Sequence, residues 1–339
     1  MLNLSVAQIN NTAHIHWAIG SFLMVLAGEN ATAIPPSLTV VGVTVSLILA
    51  SYALLQGRCQ DTRNKKTDDI WVYLGLIEAA GTFFYARIIW TELSSLDAHF
   101  ATISYLLAYG MYQIPWQRWG WRNTPWQHTA LVFPLLTVLA TASVISDIGL
   151  LGVAAFYIWI SQRLSNFRFT YISVALIDWA IARWFDHINL TDSLWYTMLV
   201  GLSLLYVAQF DPELKHPEKR QMRHYLRLLG SGAIGLVALF NHQDTGFVPG
   251  LIPGIVSLIT IFAGLILRVR AFLLVGTATF LLTAFYQLVI LISRYPFIKW
   301  VVGLIVGISF IGMAANFETR REQITSVLRN SNSQLSEWE

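Results

Sequence analysis

The sequence predicts an all-α, polytopic transmembrane bundle of about twelve helices. Three observations carry that reading. Apolar residues make up 55% of the 339 positions and charged residues only 12%, against roughly 25% charge in a soluble domain. The mean hydropathy is +0.55. The apolar residues are also gathered into long continuous segments, near the ~20 residues that cross a bilayer as a helix, rather than alternating over about ten as barrel strands do. So much apolar surface cannot be hidden in a core of the chain's own, so lipid is the expected solvent.

Twelve spans use roughly 240 residues and leave ~100 for eleven connections and two tails. That remainder excludes a soluble catalytic domain, a nucleotide-binding fold or a nucleic-acid module. The net charge of +3 and the pI near 9.0 are therefore read as loop charge facing the cytoplasm, not as a nucleic-acid surface. The single Cys59 cannot form an internal disulfide. No Lys or Arg precedes Arg58, so the first segment lacks the basic region of a cleavable signal peptide and is expected to stay as a helix.

The expected helices are 13–28, 34–56, 70–90, 96–115, 129–146, 148–162, 169–188, 193–210, 225–241, 248–267, 271–292 and 300–317. Each is justified by satisfying its own backbone hydrogen bonds, the condition lipid imposes. Segments 13–28 and 148–162 are short, and 129–162 reads equally as one element broken around Asp147 and Gly149, so ten to twelve spans stand open. Residues 1–317 form the expected transmembrane domain and 318–339 a polar cytoplasmic tail.

Charge sets the expected orientation. Arg58, Arg63, Lys65 and Lys66 lie in one connection, and every second connection after it is basic, so that eighteen of the 22 basic residues fall on one side. The alternate connections carry Glu29, Glu92, Asp97, Asp147, Asp192 and Asp244. The positive-inside rule then places both termini in the cytoplasm, in a bacterial plasma or thylakoid membrane. Trp116, Trp119, Trp121 and Trp126 share an inner connection and are expected to form an interfacial belt. Gly250, Pro253 and Gly254 suggest a broken tenth helix, and Gly303 with Gly307 a close-packing pair.

A faint internal repeat is also legible. Tyr73 to Glu78 resembles Tyr171 to Asp178, about 100 residues later, and a third such helix opens near 271. That suggests three parallel four-helix units, helices 1–4, 5–8 and 9–12.

Ionisable residues inside a span cost at least ~2.5–3.5 kcal/mol each, which makes them the leading functional candidates. Glu78 and Asp178 lie near the centres of their helices at matching repeat positions, where the third helix has Thr277 and Thr279. Two such carboxylates could couple to an ion or proton, or act as polar glue between helices. Arg87 stands nine residues beyond Glu78, on the opposite helix face, and is expected to reach the interface or meet Glu92. Arg183, Asp186 and His187 form a candidate polar cluster at the outer end of their helix. The eight histidines sit near helix ends without metal-ligand spacing, and no nucleophile elbow, phosphate loop or zinc-protease motif occurs. Neither catalytic residues, a metal nor a cofactor is expected.

The loop Gly57 to Lys66 resembles the signature of major facilitator transporters at Gly57, Asp61, Lys65 and Lys66. Thr62 and Asn64 stand where that signature has a basic residue and a second glycine, so the family is not assigned. Arg270-Ala-Phe-Leu-Leu-Val-Gly-Thr-Ala-Thr-Phe280 and the aromatic-rich helix through Tyr286 resemble the C-terminal region of uncharacterised cyanobacterial multi-spanning membrane proteins, a domain-of-unknown-function family. The resemblance covers mainly residues 265–320. It implies a photosynthetic bacterial source and carries no activity.

The expected role is a non-enzymatic scaffold, anchor or assembly factor, with the lipid bilayer and other membrane proteins as partners and no nucleic acid. The competing expectation is a secondary transporter or channel for a small solute or ion that uses Glu78 and Asp178.

Overall fold

The computed structural model of the chain describes residues 6–29, 36–58, 65–241, 251–295, 297 and 299–311. Every regular element among them is helical. The α-helices are α1 (Val6–Glu29), α2 (Pro36–Gln56), α3 (Lys65–Ile89), α4 (Phe100–Gln113), α5 (Asn123–Ala140), α6 (Asp147–Leu164), α7 (Phe169–His187), α8 (Ser193–Phe210), α9 (Arg220–Asn241), α10 (Ile252–Leu267), α11 (Arg270–Arg294) and α12 (Lys299–Ile311). The tail 318–339, Cys59 and Gly250 lie outside the described residues.

Four of the described helices contain stretches long and apolar enough to cross a membrane: Leu38–Gln56, Asp68–Ile89, Ser193–Phe210 and Arg270–Arg294. The sequence expectation of about twelve spans is larger. Helix α4 has 14 residues and α10 has 16, which at 1.5 Å per residue rise only ~21–24 Å against a ~30 Å hydrocarbon core.

The start of α4 is displaced from its expected place because Thr91–His99 forms a 3-10 run. The stretch 129–162 is two helices, not one broken element. Ser146 stops the run between them: its Oγ accepts from Gly149 N–H at 3.1 Å and caps α6. Helix α10 is unbroken, since Pro253 sits in its first turn, where a missing N–H costs nothing.

The chain divides into two compact units, Met1–Trp159 and Ile160–Glu339. In the first, α2 packs on α3 and α4 on α5, with α3 also touching α5. Leu150, Val153, Ala154 and Tyr157 are fully buried, the i, i+3, i+4, i+7 stripe of a helix turned inward. The Tyr157 hydroxyl donates to Leu131 O on α5. That carbonyl lies beside the one whose intrahelical donor is lost to Pro134, where a proline opens the helix backbone.

In the second unit α8 packs on α9, α10 on α11, and α11 on α9. These contacts rest on glycine. A Cβ at Gly201 would lie 2.9 Å from Gly230 O, and one at Gly230 2.8 Å from Gly201 O. The backbones of α8 and α9 are thus in direct contact, the small-residue packing that lipid favours. Gly303 and Gly307, expected to pack in this way, have no described atom within 4 Å of a Cβ position. Helix α4 packs on α5 and α8 on α9, so consecutive helices also meet at both boundaries of the expected four-helix units.

Candidate functional site

Glu78 is carried by α3 into the α2–α3 contact, where both side-chain and backbone partners await it. Gly75, one turn earlier on the same face, brings the helices together: a Cβ there would lie 2.9 Å from Leu54 N. Across that contact Ser46 Oγ donates to Glu78 Oε1 at 3.3 Å and lies 2.6 Å from Thr82 Oγ1. Thr82 Oγ1 in turn donates to Glu78 O at 2.8 Å. Ser46 and Thr82 are each only 4% exposed. A hydroxyl carries one proton, so Ser46 can serve Glu78 or Thr82, not both at once.

Asp178 on α7 has the same kind of partner: Ser203 Oγ on α8 donates to its Oδ2. Each candidate carboxylate is therefore half-buried and bonded to a serine of the neighbouring helix in its own unit. The third repeat position differs in chemistry. Thr279 is buried, and its Oγ1 lies 2.7 Å from where a Cβ on Gly235 would be, so that face of α11 is filled by packing against α9.

Arg87 finds a partner other than the expected Glu92. Its Nε donates to Asp97 Oδ1 at 2.8 Å and its Nη2 to Asp97 Oδ2 at 2.5 Å, the two-pronged geometry in which guanidinium binds carboxylate best. The 3-10 run of residues 91–99 returns Asp97 to the end of α3. Spacing along one helix could not show this.

The cluster at the end of α7 ties that helix to α8. Arg183 is half-buried, Asp186 and His187 are exposed, and Asp186 Oδ1 accepts from the Tyr196 hydroxyl at 2.5 Å. Nearby, Asp192 caps α8 by accepting from Leu194 N–H at 2.9 Å and also accepts from Asn241 Nδ2 at 3.2 Å. Neither Tyr196 nor Asn241 stands out in the sequence.

The tryptophans at the α4–α5 connection and the start of α5 pack on one another and on the neighbouring hairpin. Trp116 and Trp126 stack at 3.6 Å with 7° between their planes. Trp121 Nε1 donates to Leu54 O at 2.7 Å, Arg58 Nε donates to Trp119 O at 3.0 Å, and the Arg58 guanidinium lies 5.2 Å from the Trp121 ring. Arg122 pairs with Asp69, and Tyr73 bonds to His128 at 2.9 Å. The α4–α5 connection is thereby fastened to the end of the α2–α3 hairpin.

One histidine is likewise built into packing: the His14 ring stacks on Trp71 at 4.5 Å. Among the described residues no group of three or more His, Cys, Asp or Glu is placed to hold a metal ion. One set of side chains escaped the sequence reading. Arg223 and Arg227 of α9 are 8% and 3% exposed, although they belong to one of the basic connections. Their i, i+4 spacing, continued by Ser231, puts them on the same inward face. No family model matches the chain, and neither does any curated protein or solved structure.

Proposed function

We propose that the chain is a multi-pass integral membrane protein that acts without catalysis, as a scaffold, anchor or assembly factor for a membrane complex. The observation that carries this reading is the outward apolar surface of the helices. Leu139, Phe240, Ile266 and Phe285 are 68–78% exposed, and such a surface on a folded chain asks for lipid or an apolar partner. The inner faces, by contrast, close through glycine contacts and serine–carboxylate bonds, the means by which helices pack in lipid.

The ends of the helices support the proposed orientation, with both termini in the cytoplasm of a bacterial plasma or thylakoid membrane. In the first unit the basic connections meet each other through Arg58, Trp119, Asp69 and Arg122. In the second, Arg168 from the α6–α7 connection reaches Glu213 between α8 and α9. Three parallel four-helix repeats remain our reading of the sequence likeness between Tyr73–Glu78 and Tyr171–Asp178, and the cyanobacterial resemblance of residues 265–320 fits the proposed membrane.

The specific observation favouring a transporter or channel is that each mid-helix carboxylate is bonded, among the described residues, to a serine hydroxyl of the facing helix rather than to a basic side chain. Purification from the native membrane in mild detergent, followed by native mass spectrometry, separates the readings. A stoichiometric second protein is expected. A lone chain or homo-oligomer, with solute or proton flux lost in Glu78→Gln or Asp178→Asn, would replace the scaffold reading with transport.

A further inference from the structure

Ser46, Thr82 and Glu78 make three contacts: Ser46 Oγ with Glu78 Oε1 at 3.3 Å, Ser46 Oγ with Thr82 Oγ1 at 2.6 Å, and Thr82 Oγ1 with Glu78 O at 2.8 Å. Every hydrogen bond needs its own proton, and the two hydroxyls bring one apiece. Beside an ionised carboxylate, two protons must serve all three contacts. When Thr82 donates to Ser46 and Ser46 to the carboxylate, the contact with Glu78 O has none. A protonated carboxyl supplies the missing proton. Glu78 then donates to Ser46, Ser46 to Thr82 and Thr82 to Glu78 O, so that every contact is made in one direction around the set.

The bond lengths agree. A hydroxyl donating to an ionised carboxylate draws in to about 2.5–2.7 Å, whereas Ser46 stands 3.3 Å from Glu78 and 2.6 Å from Thr82. Among the described residues Ser46 is the only hydrogen-bond partner of the Glu78 carboxyl. Charged and titratable groups of the elements packed on α3 are engaged elsewhere. On α2 there is Tyr52, bonded to His14 of α1 at 3.2 Å, and on α5 His128, bonded to Tyr73. In the 3-10 run Asp97 is bound by Arg87, while Glu92 and His99 are exposed. On α3 itself Arg87 and Asp69 each stand nine residues from Glu78, ~13 Å along the axis, and Asp69 is paired with Arg122. The Tyr85 hydroxyl lies against Gly42, 3.0 Å from its Cβ position. Ser203 is the contrasting case: among the described residues it bonds to Asp178 and to no second hydroxyl, so its one proton can serve an ionised carboxylate.

We propose that Glu78 is a proton-binding site, and that the Ser46–Thr82 hydroxyl pair reverses its donor direction as the proton binds and leaves. The proton count rests on hydrogen bonds within the α2–α3 contact and holds under either reading of function. Proton binding at one carboxyl is also distinct from transport, which needs release on two sides of a membrane.

Infrared difference spectroscopy of the full chain in mild detergent, taken as pH is raised, reads the carbonyl stretch of a protonated carboxyl group. A band that bleaches with rising pH is expected in wild type and D178N, and its absence in E78Q assigns it. T82V leaves Ser46 to donate to an ionised Glu78, so proton affinity is expected to fall several-fold to about tenfold, the worth of one hydrogen bond. T82S restores the hydroxyl and with it the wild-type midpoint. No Glu78 band at any pH at which the chain is folded, or one midpoint shared by wild type and T82V, would overturn the site. Where E78Q or T82V does not fold, dicyclohexylcarbodiimide decides on the unmodified chain, because the O–H of a protonated carboxyl in apolar surroundings adds across its C=N bond. Glu78 is half-buried and within its reach. Label at Glu78 that falls as pH rises, mapped by peptide mass spectrometry, supports the site, and no label there at any pH overturns it. A flux assay reads transport separately: flux without a Glu78 band would leave the transport reading standing and sink this one.

Discussion

Ser46 on α2 and Glu78 on α3 meet at 3.3 Å across a helix contact, and Ser203 on α8 repeats the relationship with Asp178 on α7. A serine hydroxyl is a modest donor, able to hold a carboxyl group in place without a full counter-charge. Bonds of this kind between helices in lipid average ~0.6 kcal/mol. Ser46→Ala is expected to cost about that much, and Glu78→Gln, which keeps an acceptor for Ser46, less than ~1 kcal/mol. Reversible unfolding in detergent checks both. A several-kcal/mol loss for Glu78→Gln would mean that the charge itself is structural.

Direct backbone contact makes α8–α9 intolerant of added volume. Gly230→Ala puts a methyl group 2.8 Å from Gly201 O, with only backbone to yield, and overpacking of this kind costs ~1–3 kcal/mol. Gly303→Ala meets no described atom within 4 Å, and a change within ~0.5 kcal/mol is expected. Paired thermal melts of the two variants give the comparison.

Tyr157 is fully buried and its hydroxyl donates to Leu131 O. Tyr157→Phe preserves the ring and removes one donor from a carbonyl that keeps its intrahelical partner, so a loss of ~0.5–1.5 kcal/mol is expected. Equilibrium unfolding of the first unit's tryptophan fluorescence would measure it, and an unchanged midpoint would show that the bond contributes nothing.

His224 gives a pH dependence of definite sign. Burial and the charges of Arg270, Arg227 and Arg220 lower its folded value below 6.5, so the unfolded chain takes up a proton first as pH falls. Its contribution is fully present above pH ~6.5 and is lost as pH drops through the folded value. The stability difference between wild type and His224→Gln should therefore shrink on acidification. An imidazole titration by NMR that falls at or above 6.5 would contradict the lowered value.

Orientation is tested by reporter fusions. A reporter after Asp147 is expected to read the outer side and one after Lys219 the cytoplasm. Reversed signals would invert the proposed topology.

The all-helical class was legible because long apolar runs leave the backbone few alternatives, and α8 begins and ends at the residues expected from pattern alone. Glu78 and Asp178 stood out because a carboxyl group in an apolar run is rare. Their partners did not: Ser46 and Ser203 lie on other helices, and serine is common in such segments. Arg87 was matched to the nearer Glu92, since nothing in a one-dimensional spacing reveals that residues 91–99 turn back to present Asp97. The packing glycines were misplaced for the same reason. Gly201 and Gly230 belong to different helices and make no joint motif, whereas Gly303 and Gly307 make one without a described neighbour.

The fastening of the α4–α5 connection onto the α2–α3 hairpin has a consequence in time. Leu54 and Asp69 receive Trp121 and Arg122 from 67 and 53 residues further along the chain. At ~5–20 residues per second, a ribosome delivers those partners roughly 3–13 s after the residues they join. Through that interval the hairpin end stands incomplete, and an insertase or chaperone that shields it during synthesis would govern the yield of finished protein.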